Sequence, residues 1–208
     1  MKLILLGAPG AGKGTQADNI SRVYDIPQIS SGKILRSEIK RGSELGRKVQ
    51  DIIEAGQLVP EEIVIALVQE RLKDDDCKNG FILDGFPRNL AQAEALDTFA
   101  SIDVVLELHV TDERIISRIS GRRTCPGCDA TYHVVNNPPK IEGICDACGE
   151  ELTVRKDDRE EVVRDRLRVY HEQTEPLIAY YKAKGLLKVV EGQDRLEDTT
   201  RLTLQALA

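Results

Sequence analysis

The sequence predicts an α/β fold in which helices cover a parallel sheet of five strands, and three observations support this prediction. Five short apolar runs alternate with longer amphipathic stretches, as expected of strands joined by helical crossovers. A glycine-rich loop follows the first run directly and opens the first amphipathic stretch. The composition is that of a globular domain, with 41% hydrophobic and 31% charged residues in a chain of 208.

The individual elements follow from apolar runs, helix-start residues and glycine or proline breaks. Strands are predicted at residues 3–6, 27–29, 81–84, 103–108 and 186–190. Helices are predicted at residues 13–23, 32–40, 44–54, 60–73, 90–99, 111–121, 159–184 and 196–207. Pro176 is expected to kink or divide the seventh of these helices.

Three helix starts carry recognisable sequence signals. Ser30 and Ser31 are candidate N-caps, and Pro60 precedes two glutamates in a first helical turn. Thr111, followed by Asp112 and Glu113, is expected to cap the sixth helix. Within this order, residues 30–59 are predicted to form a helical insertion. Residues 122–158, rich in cysteine, glycine and proline, are predicted to form a small β-rich module.

The overall charge restricts the classes of partner. With 29 basic and 35 acidic residues the net charge is −6, which argues against broad binding to nucleic acid or to anionic membranes. Tryptophan is absent and aromatic residues are few, so a stacking platform for single strands is not expected. No signal peptide or membrane-spanning run is recognisable, and a cytoplasmic location is the expectation.

The glycine-rich loop, GAPGAGKGT at residues 7–15, has the pattern of a phosphate-binding loop. Its glycines let backbone N–H groups form a concave anion site, and the next helix adds the positive end of its dipole. Lys13 is placed to reach the β- and γ-phosphates of a nucleotide. A tight turn with an incidental lysine is the alternative, which the flanking strand and helix disfavour.

The residue after Lys13 narrows the kind of phosphate site. The general loop has Ser or Thr there to bind Mg²⁺, but this chain has Gly14, and the hydroxyl comes one residue later at Thr15. We therefore expect Mg²⁺ to be held mainly by phosphates and water, which suits its tendency to keep water ligands.

Four of the five cysteines form two CxxC pairs separated by sixteen residues, namely Cys125 with Cys128 and Cys145 with Cys148. Four thiolates facing one another describe a closed structural Zn²⁺ site with no open position for chemistry. Fe²⁺ or Co²⁺ could replace Zn²⁺ there. A redox pair needs only one CxxC, and disulfides conflict with a reducing compartment. A zinc knuckle that reads nucleic acid is disfavoured by the acidic residues around the cysteines.

Several arginines stand at loop or helix-start positions, where guanidinium groups could clamp a transferring phosphoryl group. With the other motifs they give the chain a clear resemblance to bacterial adenylate kinases of the long-lid, zinc-containing type. The segments that carry the resemblance are GAPGAGKGTQ (7–16), ISSGKILR (29–36), AGQLVP (55–60), DGFPRNLAQA (84–93), SGRRTCPGC (120–128), ATYH (130–133), NNPPK (136–140), RKDD (155–158) and VRDRLRVYHEQTEPLIAYY (163–181).

The resemblance covers essentially the whole chain and implies the three-layer fold of P-loop NTPases. The core would comprise residues 1–29, 60–121 and 159–208, with an NMP-binding insertion at 30–59 and a zinc-binding lid at 122–158. The implied reaction is Mg·ATP + AMP ⇌ 2 ADP, which serves adenine nucleotide homeostasis and AMP salvage. A monomer is expected, because both insertions must open and close.

Site residues follow by position from the same resemblance. Residues implied to contact ATP are Gly10, Ala11, Gly12, Lys13, Gly14, Thr15, Arg118, Arg122, Thr131 and Tyr132. Residues implied to contact AMP are Ser31, Arg36, Gln57, Leu58, Val59, Gly85, Phe86, Pro87, Arg88, Gln92, Arg155 and Arg166. Catalytic roles are implied for Lys13, Arg88, Arg122, Arg155 and Arg166. Asp84 would orient Mg²⁺-bound water, and Asp157 with Asp158 would lock the closed lid.

Three positions depart from the family pattern. Lys33 replaces the usual acidic residue, which puts in doubt any water or Mg²⁺ contact made there, while Ser31 and Gln57 replace a threonine and a lysine. A UMP/CMP-type kinase is the nearest alternative function, and a P-loop protein that binds nucleic acid through a zinc knuckle is an alternative of another class. Gln92 and the AGQLV stretch favour AMP over pyrimidine nucleotides.

Overall fold

The computed structural model describes all residues from 1 to 208 and contains seven strands. They are β1 (Lys2–Leu6), β2 (Gln28–Ser30), β3 (Phe81–Asp84), β4 (Val104–His109), β5 (Arg122–Thr124), β6 (Thr131–His133) and β7 (Leu187–Glu191). Five of them form one parallel sheet in the order β2-β3-β1-β4-β7. The predicted five-stranded parallel sheet is confirmed, and no strand bound differs from prediction by more than one residue.

The central strand β1 shows why the fold has three layers. Its side chains alternate between the two faces of the sheet, as the pleat requires. Leu3 and Leu5 belong to one apolar cluster of 17 buried residues, whereas Ile4 and Leu6 belong to a second cluster of 17. A strand that is apolar on both faces must be covered on both faces, so helices pack on each side of the sheet.

Nine α-helices surround the sheet and supply the insertions. They are α1 (Lys13–Tyr24), α2 (Ser31–Lys40), α3 (Glu44–Glu54), α4 (Glu61–Arg71), α5 (Leu90–Asp97), α6 (Asp112–Ser120), α7 (Glu160–Val169), α8 (Pro176–Ala183) and α9 (Leu196–Leu207). Ser30 caps α2 by accepting from the Lys33 backbone N–H, and Pro60 precedes α4 as predicted. Thr111 occupies the N-cap position of α6, but its side chain makes no capping hydrogen bond.

Pro176 divides its helical stretch as predicted, but the break takes the form of a wider turn. Residues Tyr170–Thr174 form a π-helical turn between α7 and α8, in which the Glu175 N–H donates to the Tyr170 carbonyl at 2.9 Å. Pro176 has no N–H to donate to the carbonyl four residues earlier, and its ring would clash with that carbonyl. The preceding turn therefore opens to five-residue spacing.

Two stretches lie outside the five-stranded sheet. Helices α2 and α3 pack on each other within residues 30–59. Strands β5 and β6 pair antiparallel within residues 122–158, where isolated bridges join Thr124 to Thr153 and Ile144 to Glu151. Helical and β-rich segments are thus found where the sequence predicts them. No helix in the structure combines the length and apolarity that a bilayer crossing requires.

Candidate active site

The glycine-rich loop joins β1 to α1 and has backbone conformations that few other residues could adopt. Gly7 and Gly10 have φ angles of 137° and 88°, in the region that favours glycine. A Cβ atom on Gly7 would lie 2.6 Å from the Leu108 carbonyl oxygen, and one on Gly10 would lie 2.7 Å from the Ile119 side chain. The loop is therefore packed closely against β4 and α6, with its backbone free to face the cavity.

Lys13, the first residue of α1, reaches back across this loop. Its Nζ donates to the Gly7 carbonyl at 2.7 Å and to the Ala8 carbonyl at 3.0 Å. Burial is the main cause that lowers the pKa of Lys13 to about 8; Asp84 opposes the shift, and nearby arginines add to it. The ammonium lies in a positively charged, poorly solvated environment that an anion would relieve.

Six arginines from different parts of the chain line the same cavity, and among them Arg122, Arg155 and Arg166 have defined partners. Arg122 pairs with the buried Asp158, its Nε lying 2.8 Å from Oδ2, and Arg166 pairs with Asp157 at 2.8 Å. The Arg155 Nε donates to the Thr124 hydroxyl at 3.0 Å. These contacts leave donor groups on each guanidinium uncommitted, since one guanidinium carries five N–H donors.

Burial and mutual repulsion lower the pKa values of two arginines in this region. The pKa of Arg88 is lowered to about 10, chiefly by burial and then by Arg166. The pKa of Arg155 is also lowered to about 10, by burial and then by Arg36. Burial acts to raise the pKa of Asp157, but Arg166 and Arg155 outweigh it and hold that pKa below its ordinary value. Positive charge thus exceeds the negative charge available to neutralise it.

A cavity of about 320 Å³ lies between the glycine-rich loop and residues 122–158. This volume is within the range of small-ligand sites. The cavity is lined by all ten residues implied to contact ATP, which are Gly10, Ala11, Gly12, Lys13, Gly14, Thr15, Arg118, Arg122, Thr131 and Tyr132. Gly85, Pro87, Arg88, Arg155 and Arg166 of the implied AMP and catalytic sets line it as well.

A second cavity of about 60 Å³ lies under residues 30–59. It is lined by Ser31, Arg36, Gln57, Leu58, Val59, Arg88, Gln92 and Arg166, all of which belong to the implied AMP set. Three arginines, Arg36, Arg88 and Arg166, line both cavities. The guanidinium groups therefore mark the boundary between the two spaces.

Individual side chains in the smaller cavity have defined partners. The Gln92 Oε1 accepts from the Arg88 backbone N–H at 2.9 Å, which leaves its NH₂ group to meet a ligand. The Ser31 hydroxyl donates to the Gly85 carbonyl at 2.7 Å. The buried Nε of Arg36 has no hydrogen-bond partner, as expected of a group that awaits an anion. The Phe86 side chain lines neither cavity and packs in the apolar core instead.

Asp84 ends β3 with its carboxylate in the larger cavity, where Gln28 Nε2 donates to Oδ2 at 3.1 Å. A Cβ atom on Gly14 would lie 3.9 Å from the same oxygen, so α1 begins directly over the carboxylate. The Thr15 hydroxyl is in the same cavity. One carboxylate, one hydroxyl and open space for water fit Mg²⁺, which binds oxygen and keeps several water ligands.

The four cysteines of the two CxxC pairs form one cluster with all Sγ atoms within 4.8 Å of one another. The Sγ atoms of Cys125 and Cys148 are 3.3 Å apart, and those of Cys128 and Cys145 are 3.5 Å apart. Tetrahedral Zn–S bonds of about 2.3 Å place sulfurs about 3.8 Å apart, so the cluster fits a metal of this kind. These distances are too long for disulfide bonds.

Tyr132 connects this cluster to the larger cavity. Its hydroxyl accepts from the Asp146 backbone N–H at 2.8 Å and lies 3.6 Å from the Cys145 Sγ. The residue is 9% exposed and also lines the cavity. Tyr132 therefore lies between the four-cysteine cluster and the space implied for ATP.

Residues 30–59 and residues 122–158 meet above the cavities through polar contacts. Lys40 donates to the carbonyls of Pro126 and Gly127, at 2.8 Å and 3.4 Å. Lys156 pairs with Glu54 at 2.9 Å. A third contact joins Arg36 to Asp129 at 3.8 Å. The three contacts hold the two segments together over the cationic centre.

Two parts of the cavity wall were not anticipated from the sequence. Residues after β7, including Gln193 and Thr199, line the larger cavity, and Arg118 donates to the Gln193 carbonyl at 2.6 Å. The rule that ligands bind at the carboxyl ends of parallel strands could have indicated this loop. His133, at the end of β6, also lines the larger cavity.

Comparison with known proteins agrees with this geometry. The model of the family described as "Adenylate kinase" matches residues 5–186. The chain is 57% identical over 212 residues to an adenylate kinase of Caldicellulosiruptor bescii, with 100% of this chain and 99% of the relative covered. It is 54% identical to an adenylate kinase of Acetivibrio thermocellus, with 100% and 98% covered. It is 53% identical to one of Archaeoglobus fulgidus, with 95% and 93% covered.

Proposed function

The chain belongs to the adenylate kinase family, and from this premise we propose how its residues carry out the reaction. The activity is that of an ATP:AMP phosphotransferase, which interconverts Mg·ATP plus AMP with two ADP. The observation that carries the assignment of roles is the position of Arg36, Arg88 and Arg166, which line both cavities. A phosphoryl group that moved from one cavity to the other would remain in contact with guanidinium donors throughout.

The larger cavity is proposed to bind ATP. The backbone of residues 10–15 would cradle the β- and γ-phosphates, and Lys13 would follow the charge as the phosphoryl group moves. Arg118 and Arg122 would contact the donor nucleotide, and Thr131 with Tyr132 would border its base. The burial of Lys13, which is the main cause of its lowered pKa, and the arginines near it support this assignment, since a bound phosphate would stabilise the ammonium.

The smaller cavity is proposed to bind AMP. Arg36, whose Nε has no hydrogen-bond partner, and Arg88 would hold the AMP phosphate. Gln92 would read the base through its NH₂ group, because its oxygen is taken by the Arg88 backbone. Gln57, Leu58 and Val59 would border the nucleotide, while Phe86 would support the site from the core rather than by contact.

Catalysis is proposed to rest on positioning and charge neutralisation, since phosphoryl transfer has a loose transition state with charge spread over its equatorial oxygens. Arg122, Arg155 and Arg166 would stabilise that charge, and Asp84 would orient water bound to Mg²⁺. Mg²⁺ supplies neutralisation of phosphate charge when bound with ATP. No general base is required, because the attacking oxygen already belongs to an AMP phosphate.

We also propose that residues 30–59 act as the NMP-binding insertion and residues 122–158 as the lid, each closing on the core formed by residues 1–29, 60–121 and 159–208. Closure over the cationic centre would keep water from taking the phosphoryl group. The cysteine cluster is proposed to hold Zn²⁺, which would keep the lid rigid and take no part in the chemistry. The protein is proposed to be a cytoplasmic monomer that binds neither nucleic acid nor membrane.

A coupled assay with AMP, GMP, CMP and UMP tests the substrate assignment, and AMP should be the preferred acceptor. Lys13→Met and Arg88→Ala should each lower kcat/KM by about 100-fold or more, as the loss of a phosphoryl clamp does elsewhere. Folded variants with near-wild-type rates would contradict the assigned roles. Preference for a pyrimidine nucleotide would contradict the role of the smaller cavity as an AMP site.

A further inference from the structure

Lys33 lies beside the active site in an arrangement that the known reaction does not explain. Its Nζ donates to the Gln28 Oε1 at 3.0 Å, and the Gln28 Nε2 donates to the Asp84 Oδ2 at 3.1 Å. The ammonium is also 3.9 Å from the Asp18 carboxylate on α1. Lys33 and Asp84 both line the larger cavity. A continuous chain of hydrogen bonds therefore runs from Lys33 through the Gln28 amide to the Asp84 carboxylate.

Strand register explains why these three side chains meet. In the parallel pair β2–β3, Gln28 is opposite Ile82 and Ser30 is opposite Asp84. Residues two apart on a strand point to the same face, so Gln28 and Asp84 share a face of the sheet. Lys33 follows in the first turn of α2, directly after β2, and projects back toward that face.

The chemistry of the three groups permits only one orientation of the central amide. An ammonium can only donate, so it selects the oxygen of Gln28, and an ionised carboxylate can only accept, so it selects the NH₂ group. Both ends of the chain thus favour the same arrangement. An acidic side chain at position 33 would instead compete with Asp84 for the amide NH₂ and would add negative charge beside it.

We propose that Lys33 is a positioning residue that acts through Gln28 to fix the Asp84 carboxylate toward Mg²⁺-bound water. Oδ2 of Asp84 accepts from Gln28, and Oδ1 would then be the oxygen that meets Mg²⁺-bound water. The lysine thus supports the Asp84 carboxylate through Gln28, without itself contacting the metal or its water. This inference rests on the role of Asp84 given under the proposed function.

The test is the preference of the enzyme for Mg·ATP over metal-free ATP, measured by isothermal titration calorimetry. No AMP is added, so no turnover occurs, and metal-free nucleotide and buffer are prepared on a chelating resin that never contacts the protein. Lys33→Met should lower the preference about fivefold, the loss expected for one hydrogen bond. Lys33→Arg keeps a donor and should stay within about twofold of the unmodified enzyme.

Gln28→Leu removes the central link and should lower the preference by the same factor, and the double variant with Lys33→Met should lower it no further. Lys48→Met is the matched control, because Lys48 is exposed in the same insertion and pairs only with Glu44, at 2.6 Å. It should leave the preference unchanged. Melting temperatures of all variants establish that each protein is folded.

An unchanged preference in Lys33→Met, or additive losses in the double variant, would overturn the inference. Asp84→Asn separates this failure from a failure of the proposed function. If Asp84→Asn lowers the preference and Lys33→Met does not, only the relay is wrong. If Asp84→Asn leaves the preference unchanged, the role of Asp84 itself is wrong.

Discussion

Replacing Asp158 with asparagine should destabilise the ligand-free enzyme more than any change at a surface ion pair. The Asp158 side chain is only 1% exposed, and it pairs with two nitrogens of Arg122, Nε and Nη2, and with Arg166 at 3.4 Å. The two arginine side chains are 16% and 20% exposed, so solvent can compensate little for the lost carboxylate.

The magnitude follows from this burial. Removing one partner of a buried ion pair costs about 3–5 kcal/mol, because the other charge is left without compensation. Asp157 remains paired with Arg166 at 2.8 Å, and the adjacent cavity admits water, so we expect about 2–3 kcal/mol here. For a chain of this length, that corresponds to a fall in melting temperature of about 4–12 °C.

Urea denaturation and calorimetry of Asp158→Asn measure the effect directly. The matched control is Asp165→Asn on α7, whose partner Arg168 lies 3.9 Å away with both side chains more than half exposed. This control should change stability little. The Arg122→Ala/Asp158→Asn double variant should lose less than the sum of the single losses. A loss below about 0.5 kcal/mol for Asp158→Asn would refute the claim that the pair is buried and coupled.

Three further predictions concern the four-cysteine cluster, Tyr132 beside it, and the surface residue His171. Protein purified without added metal should contain about one Zn²⁺ per chain, and removal of this proposed metal should lower the melting temperature. An unchanged melting temperature after complete removal would contradict a structural role for the metal. Tyr132→Phe should raise the KM for ATP about fivefold with little change in the KM for AMP, because only the hydroxyl contacts to Asp146 and Cys145 are lost. Equal changes in both KM values would exclude a selective effect on the ATP site. The hydrogen bond to Glu175 and the carboxylate of Asp112 raise the pKa of His171 in the folded protein. The protonated imidazole therefore contributes its full stabilisation of the fold below a pH of about 6.5, the ordinary pKa of histidine, and this contribution disappears as the pH rises through the higher folded-state pKa. His171→Gln should therefore lower stability at about pH 5.5 by no more than about 1 kcal/mol, since the side chain is 43% exposed, and should have no effect at about pH 9.

The features that could be predicted from the sequence are those whose residues interact over short distances along the chain. The phosphate-binding loop is one continuous segment, and each cysteine pair is a single turn, so spacing alone indicates their geometry. The five strands were predicted to within one residue because each is a short apolar run between breaks. Pro176 was recognised as a break, although the π-helical turn before it depends on how α7 and α8 pack.

Features that escaped prediction depend on contacts between distant segments. Gln28 meets Asp84 across 56 positions, and Arg118 meets the Gln193 carbonyl across 75. Nothing in the sequence around Gln28 or Gln193 indicates a role in the site, because an amide side chain in a strand or loop is most often solvated. The contact between Lys33 and Gln28 is local, but its connection to Asp84 was hidden, since only the parallel register of β2 and β3 brings Gln28 onto the face of Asp84.

If residues 30–59 and 122–158 open and close as proposed, the polar contacts between them affect the populations of open and closed molecules. Lys156 is 69% exposed, and Arg36 and Asp129 are 3.8 Å apart, so each contact contributes at most about 1 kcal/mol. Without nucleotides, the free energy gained from these contacts is then nearly cancelled by the conformational entropy that the two segments lose when they close. The first nucleotide to bind supplies part of this ordering cost, so the second binds to a protein that is already more closed. ATP and AMP are therefore expected to strengthen each other's binding even where they do not touch.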